Sequence, residues 1–541
     1  MPGCSDYMYF LCVFLSRYNV AHEEVNMPDS GTIVIGVSFA AYTLFIVLVG
    51  LWSSRWAKRS DEDYFLAGRS LGKWVAALSA SASSESGWVT LGLVGWAYGS
   101  GVSAYWIIPG CLFGYFFNWF FLAGRMRDRA AELNALTIPD LFSFHFRERV
   151  PLLRVLSVIV ILVAMVLYVA AQFNAAGKSL AYSFTGDVSG SNYRWGVLAG
   201  AAIVLVYTVT GGFRAVCWTD FLQALLMLTA LVIFPVYLLF THGGFAYVHG
   251  ELAQTDPATL HWIPQGAKAS GPALFGFLLG SGALGINFGY PGQPHVLVRF
   301  MALKDRKEAA WGGVISMIWG LFVYWGAVTV GLFARAMQTD GASWTSVLSQ
   351  DKELGLVAAA QNLLPGVLGG LVLAAVLAAI CSTADSQLLV AASAAANDLY
   401  KQIFRKGATD DDPQRASGMD DRGSMWINRG IVFTLGIIAV LLVIDQKVTV
   451  YDYVLTYGWA ILGASFGPQV ILLLIWRRAS YAGCLAGMLT GFVMAIVWKL
   501  TYMSGEHTVE IYNLPLAFVA AMVVNVLISL LTSTGKKRVT A

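Results

Sequence analysis

Apolar runs of about twenty residues alternate along the whole chain with short polar or glycine-rich links. Thirteen can be drawn, at about 31–53, 73–98, 103–123, 152–177, 195–211, 217–240, 273–296, 310–334, 366–397, 426–444, 449–475, 480–499 and 512–533. A helix needs about twenty apolar residues to cross a bilayer core, so the pattern predicts an all-α membrane protein of about thirteen spans. Two spans are interrupted by small and polar residues, at Ser79-Ala-Ser-Ala-Ser-Ser-Glu-Ser-Gly87 and at Gly285-Ile-Asn-Phe-Gly-Tyr-Pro-Gly-Gln293. Hydrocarbon cannot hydrogen-bond a free backbone group, so an unwound span survives only where it lines a polar cavity inside protein. Paired interruptions of this kind point to the solute and ion site of a secondary transporter.

Composition agrees. Of 541 residues, 57% are hydrophobic and 12% charged, against about 25% charged in soluble domains. That balance predicts an integral membrane protein and offers nothing for nucleic acid. The six cysteines are scattered without metal-ligand spacing and read as buried thiols, neither disulfide nor metal site. Residues 7–15 form a short apolar stretch without the basic start or cleavage site of a secretory signal. Met27 opens the segment that leads into the first clean span, and it is the expected start, with residues 1–26 an extension.

The basic residues set an orientation. If the first span begins outside, 27 of the 35 Lys and Arg residues fall on the inner side, which predicts an external amino terminus and a cytoplasmic carboxy terminus in a multi-pass cell-membrane protein. Spans 2–6 and 7–11 then form two five-helix units of opposite topology, each opening with its broken helix. The expected division is an extension at 1–30, a peripheral helix and cytoplasmic loop at 31–72, and a first repeat at 73–240. An external loop at 241–272 follows, then a second repeat at 273–475 and two further helices with a cytoplasmic tail at 476–541.

Candidate chemistry gathers on few residues. Span 9 contains Ser382 and Thr383, adjacent hydroxyls in an otherwise apolar helix, with Asp385 and Ser386 just beyond. Hydroxyl and carbonyl oxygens suit a hard cation such as Na⁺. Such side chains also bond back to their own helix or join neighbouring helices. Asp385 favours function, because an intramembrane carboxylate is costly. Asp220, near the cytoplasmic start of span 6, is either an interfacial carboxylate paired with Arg214 or Arg69, or an oxygen on the inner cation path. Asp220, Asp385 and Ser386 are therefore candidates for a second cation or a proton. Glu85 lies inside the first interruption as a ligand, a titrating group or a helix cap. Tyr290 and Gln293 in the second interruption, with Tyr168 and Gln172 one turn apart on span 4, are candidates for the solute cavity. Trp311, Trp319 and Trp325 read as packing, and His295 as a satisfied helix-end residue.

At these residues the chain resembles the sodium:solute symporter family, most of all its sodium/proline branch. The matching stretches include Tyr64-Phe-Leu-Ala-Gly-Arg-Ser-Leu-Gly72, Leu136-Thr-Ile-Pro-Asp140 and Trp218-Thr-Asp220. They continue with Gly289-Tyr-Pro-Gly-Gln-Pro-His-Val-Leu-Val-Arg-Phe-Met301 and Ser382-Thr383. The resemblance implies a leucine-transporter-like 5+5 inverted-repeat core and Na⁺-coupled uptake of a proline-like solute, with no other cofactor or metal and no enzymatic activity. It implies that Ser382 and Thr383 supply side-chain ligands to sodium, and Ala379, Ala82 and Glu85 backbone carbonyls. It makes Arg69 a cytoplasmic coupling residue, and ties Tyr168 and Tyr290 to the solute pathway.

Two departures bear on this. The branch has an aspartate where this chain has Ser84, with Glu85 next to it, and a tryptophan where this chain has Ile286. The rival readings are a carrier of the same fold for pantothenate, a monocarboxylate or another amino acid, H⁺ coupling, or a transporter-like sensor.

Overall fold

The computed structural model describes residues 30–53, 61–210, 212–405, 421–445, 448–503 and 511–533. The expected start at Met27, the basic residues Arg55, Lys58, Arg59, Lys406, Arg415 and Lys536–Arg538, and Cys4 and Cys12 lie outside the described residues. The protein is all-helical. The one bridge of strand type among the described residues pairs Leu71 with Leu303.

Helix occupies every predicted stretch. The first segments are α1 (Ser30–Ser53), α2a (Lys73–Ser84), α2b (residues 88–100), α3 (residues 107–132), α4 (Leu152–Thr185), α5 (Gly190–Thr210) and α6 (Phe213–Thr241). The next are α7a (Gly271–Leu278), α7b (Pro294–Met301), α8 (Arg306–Thr339), α9 (Gly366–Ser393, continuing in wide turns to Arg405) and α10 (Asp421–Val443). The last three are α11 (Val450–Ile475), α12 (Tyr481–Met503) and α13 (Asn513–Ser533). Nine helices among the described residues are long and apolar enough to cross a membrane. Of the predicted spans, the second is broken and its latter half runs on with the third as Trp88–Glu132, the seventh is broken, and α5 opens on polar residues.

Burial grades from centre to edge. The most apolar windows of α9 and α11 are 83% buried, against 22% for α1, 33% for α12 and 39% for α13. Chains of small residues let the central helices touch. A Cβ at Gly326 of α8 would overlap the Leu231 carbonyl of α6, and one at Gly114 of α3 would lie 2.1 Å from the Tyr290 ring. Overpacking of this sort costs about 1–3 kcal/mol or more. Gly289 is a further case, because its Cβ would stand 1.8 Å from the Trp459 indole nitrogen in Gly289→Ala. That variant is expected to lower the thermal unfolding midpoint of the detergent-purified protein by several degrees.

One end of the bundle is pinned by one arginine. Ala67, Gly68 and Arg69 all have positive φ, at 53°, 62° and 47°. This left-handed turn aims the Arg69 guanidinium inward. It donates to the carbonyls of Ala135 at 2.9 Å, Met301 at 3.1 Å and Ala130 at 3.3 Å, and pairs with Glu62 at 2.7 Å. The end of α3, the end of α7b and the loop before α2a are thereby joined. Backbone bonds between Leu71 and Ala302 and between Lys304 and Leu71 run alongside.

Candidate functional site

The first interruption is shorter than the composition of 79–87 predicts. Ser79 to Ser84 stay helical, and the chain departs from helix at Glu85 and Ser86 before a wide turn begins at Trp88. Alanine favours helix, and the hydroxyls of Ser79, Ser83 and Ser84 find partners across helix contacts, so small polar residues alone do not unwind the segment. The second interruption is longer than 285–293. Regular helix stops at Leu278, tight turns fill Leu284–Gly292 around Pro291, and Gln293 is extended before α7b.

Each break is satisfied by one glutamine and one tryptophan. At the first, Gln172 of α4 accepts from the Gly87 backbone N–H at 3.0 Å and donates to the Ser86 hydroxyl at 3.1 Å. The Trp88 indole donates to the Ser84 carbonyl at 2.9 Å. At the second, Gln293 donates to the carbonyls of Gly289 at 3.0 Å and Trp459 at 3.2 Å, and the Trp459 indole donates to the Ile286 carbonyl at 3.1 Å. Gln172 and Gln293, expected on a cavity wall, thus hold the broken backbone itself. This answers the requirement that irregular polypeptide at membrane depth be paired within protein.

Ending α2a at Ser84 frees the last carbonyls of that helix. Ser382 and Thr383 of α9 lie against them. The Ser382 hydroxyl is 2.9 Å from the Ala82 carbonyl and 3.1 Å from that of Ala379. The Thr383 hydroxyl is 3.1 Å from the Ser83 carbonyl, 3.2 Å from that of Ala379 and 3.5 Å from that of Ala82. Five oxygens, three from carbonyls and two from hydroxyls, therefore converge where the broken helix meets α9. All five residues are buried. Ser83, outside the expected set, joins through its carbonyl. Glu85, expected through its carbonyl, is held instead by its carboxylate. One oxygen of that carboxylate accepts from Tyr115 at 2.9 Å, Ser84 at 3.1 Å and Tyr290 at 3.4 Å, and from Tyr324.

Beside it, toward the start of α2a, lies a second polar cluster. Asp220 accepts from Ser79 at 2.8 Å and Ser83 at 3.1 Å, and pairs with Arg299 of α7b at 2.7 Å. Arg299 also donates to Ser386 at 2.6 Å, to Ser79 at 2.8 Å and to the His295 carbonyl. Ser83 and Ser386 are 3.1 Å apart. Every side chain here is buried. The expected partners of Asp220 are corrected: Arg214 goes to Asp63, Ala67 and Ser70, and Arg69 to Glu62. Arg299 escaped the sequence reading because it lies beyond the end of its predicted span at 296 and counts there as a loop charge. Asp385 is buried on α9 beside Ser386.

The aromatic residues complete the site. Tyr290 lies 4.7 Å from Trp459 and 5.2 Å from Tyr115, both edge-on, and its hydroxyl is 2.9 Å from that of Tyr324. Tyr168 is buried edge-on to His295 at 6.1 Å, with its ring against Gly458. Tyr115, Tyr324 and Trp459 were not singled out from sequence, where an aromatic in a membrane helix reads as packing. Among the described residues no group of three or more His, Cys, Asp or Glu side chains is placed to hold a metal, and Cys111, Cys217, Cys381 and Cys484 are buried free thiols.

Comparison with known proteins places this geometry. The model of the sodium:solute symporter family matches residues 64–491. The sodium/proline symporter of Escherichia coli (strain K12) is 37% identical over 466 residues, 86% of this chain and 87% of that protein. The osmoregulated proline transporter OpuE of Bacillus subtilis (strain 168) is 34% identical over 510 residues, 94% and 96% of the two chains. Among solved structures, the substrate-bound outward-open state of a Na⁺-coupled sialic acid symporter aligns with TM-score 0.73 at 17% identity. That alignment covers 94% of this chain and 99% of the other, so the two share a fold.

Proposed function

The chain belongs to the sodium:solute symporter family, and from that premise we propose that it carries proline, together with Na⁺, into the cell by alternating access. The observation that bears most weight is the five-oxygen junction of Ala82, Ser83, Ala379, Ser382 and Thr383. Its oxygens are hard and neutral, which suits an alkali cation. It also bridges the first break to α9, so that an ion bound there ties two halves of the bundle together. The proline transporters among the relatives support the choice of solute.

In this reading the protein crosses the membrane thirteen times, with its amino terminus outside and its carboxy terminus in the cytoplasm. Residues 73–240 and 273–475 form the inverted repeats, the gradient of burial favouring α1, α12 and α13 as peripheral. Na⁺ binds at the junction and stabilises the outward-open state. The solute then binds between the breaks beside Tyr290 and Tyr168, where amide donors at the start of a half-helix favour its carboxylate. The repeats rock, and the Arg69 contacts at the inner face break and reform. Asp220, Ser386 and Asp385 line the cation route inward, with Arg299 holding Asp220 between passages. The protein acts as a carrier and not as an enzyme.

Uptake of labelled proline into proteoliposomes, with an inward Na⁺ gradient and with choline in its place, tests the proposal. The expected result is accumulation that requires Na⁺ and is abolished when the gradient is dissipated. Accumulation of equal size in choline would defeat it.

A further inference from the structure

Asp220 and Glu85 are both buried beside the first break, and their charges are treated differently. Asp220 has Arg299 at 2.7 Å. Glu85, equally buried, has no cationic partner among the described residues. One of its oxygens accepts from Ser84, Tyr115, Tyr290 and Tyr324, while the other is buried without a hydrogen bond. One carboxylate oxygen lies among four hydroxyls, and an uncompensated charge at this depth is expensive. A positively charged partner would meet its second oxygen.

The surroundings say which kind of cation fits. The five neutral oxygens at Ser382 and Thr383 already suit a bare alkali ion. Around Glu85 the walls are rings: Tyr115 lies edge-on to Tyr290 at 5.2 Å, Tyr290 edge-on to Trp459 at 4.7 Å, and Trp88 lies 6.3 Å from Tyr324. Aromatic faces attract an organic ammonium and pack against its carbon substituents. Glu85 also sits at the first break, while Tyr290, whose hydroxyl reaches toward it, sits at the second. A solute held between the breaks therefore touches both.

Resting on the proposed symport, we propose that Glu85 is the anchor for the positively charged nitrogen of the solute and thereby selects amino acids over carboxylates that lack an amine. The charge count supports this. With Na⁺ at the hydroxyl junction and a zwitterion at Glu85, the ion balances the Glu85 carboxylate. An anionic solute would add a further negative charge and set its own carboxylate near Glu85, a like-charge contact that works against binding.

The test compares L-proline with tetrahydrofuran-2-carboxylate, in which an ether oxygen replaces the ring nitrogen. Affinity is read from solute-induced thermal stabilisation of the detergent-purified full chain, in Na⁺ and in choline. The wild type is expected to bind proline at least roughly hundredfold tighter than the ether, the scale for losing one partner of a buried hydrogen-bonded charge pair. Glu85→Gln is expected to lose that preference while still being stabilised by Na⁺ alone. Equal binding of the two solutes by the wild type overturns the inference without any variant, so a Glu85→Gln protein that fails to fold does not shield it. A Glu85→Gln protein that keeps the preference for proline but no longer responds to Na⁺ also overturns it, and makes Glu85 a sodium ligand. A wild type that prefers proline over the ether but binds proline with the same affinity in Na⁺ and in choline upholds the anchor and instead defeats the proposed coupling.

Discussion

Ser382→Ala/Thr383→Ala is expected to raise the Na⁺ concentration for half-maximal proline uptake by roughly hundredfold or more, with the folded protein recovered in normal amount. Each hydroxyl offers one oxygen to the junction with the Ala82, Ser83 and Ala379 carbonyls. An interaction with a charged group is worth about 1.5–3 kcal/mol, and 1.4 kcal/mol is a factor of ten, so losing two ligands reaches that range. Alanine keeps the α9 helix, and the hydroxyls are replaced by small apolar groups in a close-packed seam. The fold therefore survives while the ion site does not. Because ligand linkage is reciprocal, proline affinity measured in Na⁺ should fall in the same variant toward its value in choline. Uptake assayed across a Na⁺ titration checks both parts. An unchanged Na⁺ dependence would remove the hydroxyls from the site.

The second large effect concerns stability. Arg299 and Asp220 are both fully buried and 2.7 Å apart, with Ser79, Ser83 and Ser386 completing the cluster. Breaking a buried pair by removing one partner costs about 3–5 kcal/mol, because the other charge is left uncompensated. Arg299→Met alone should therefore lower the unfolding midpoint sharply. Arg299→Met/Asp220→Asn, which removes both charges, should recover most of the loss, since apolar or neutral replacement of a whole buried pair is often tolerated. Thermal unfolding of the two variants in detergent distinguishes this from simple loss of side-chain volume, which would make the double variant at least as unstable as the single one.

Much of the architecture could be read from residues. Runs of twenty apolar residues have few alternatives to a membrane helix, and Gly289, Pro291 and Gly292 cannot continue one, so the second break was legible. The first was legible only in place. Ser79 to Ser84 look like a loop but remain helical, the hydroxyls of Ser79, Ser83 and Ser84 meeting Asp220, Ser386, Tyr115 and the Ser81 carbonyl, contacts that sequence does not display. Ser382 and Thr383 were visible as two hydroxyls in an apolar helix. Arg299 was not, since its burial depends on a carboxylate 79 positions away. The apparent loss at Ile286 also looks different in three dimensions. An indole does stand beside Tyr290, but it comes from Trp459 on α11 and donates to the Ile286 carbonyl. Aromatic residues carry no periodic signal that separates a site from packing, which is why Tyr115, Tyr324 and Trp459 emerged only from the fold.

Binding of radiolabelled Na⁺ to the purified protein, with and without proline, is the most direct test of ion and solute sharing one coupled site. Saturable Na⁺ binding that proline tightens by the same factor as Na⁺ tightens proline, and that disappears in Ser382→Ala/Thr383→Ala, is the predicted result. Na⁺ binding of unchanged strength in that variant, or Na⁺ and proline affinities that ignore one another, would contradict the account.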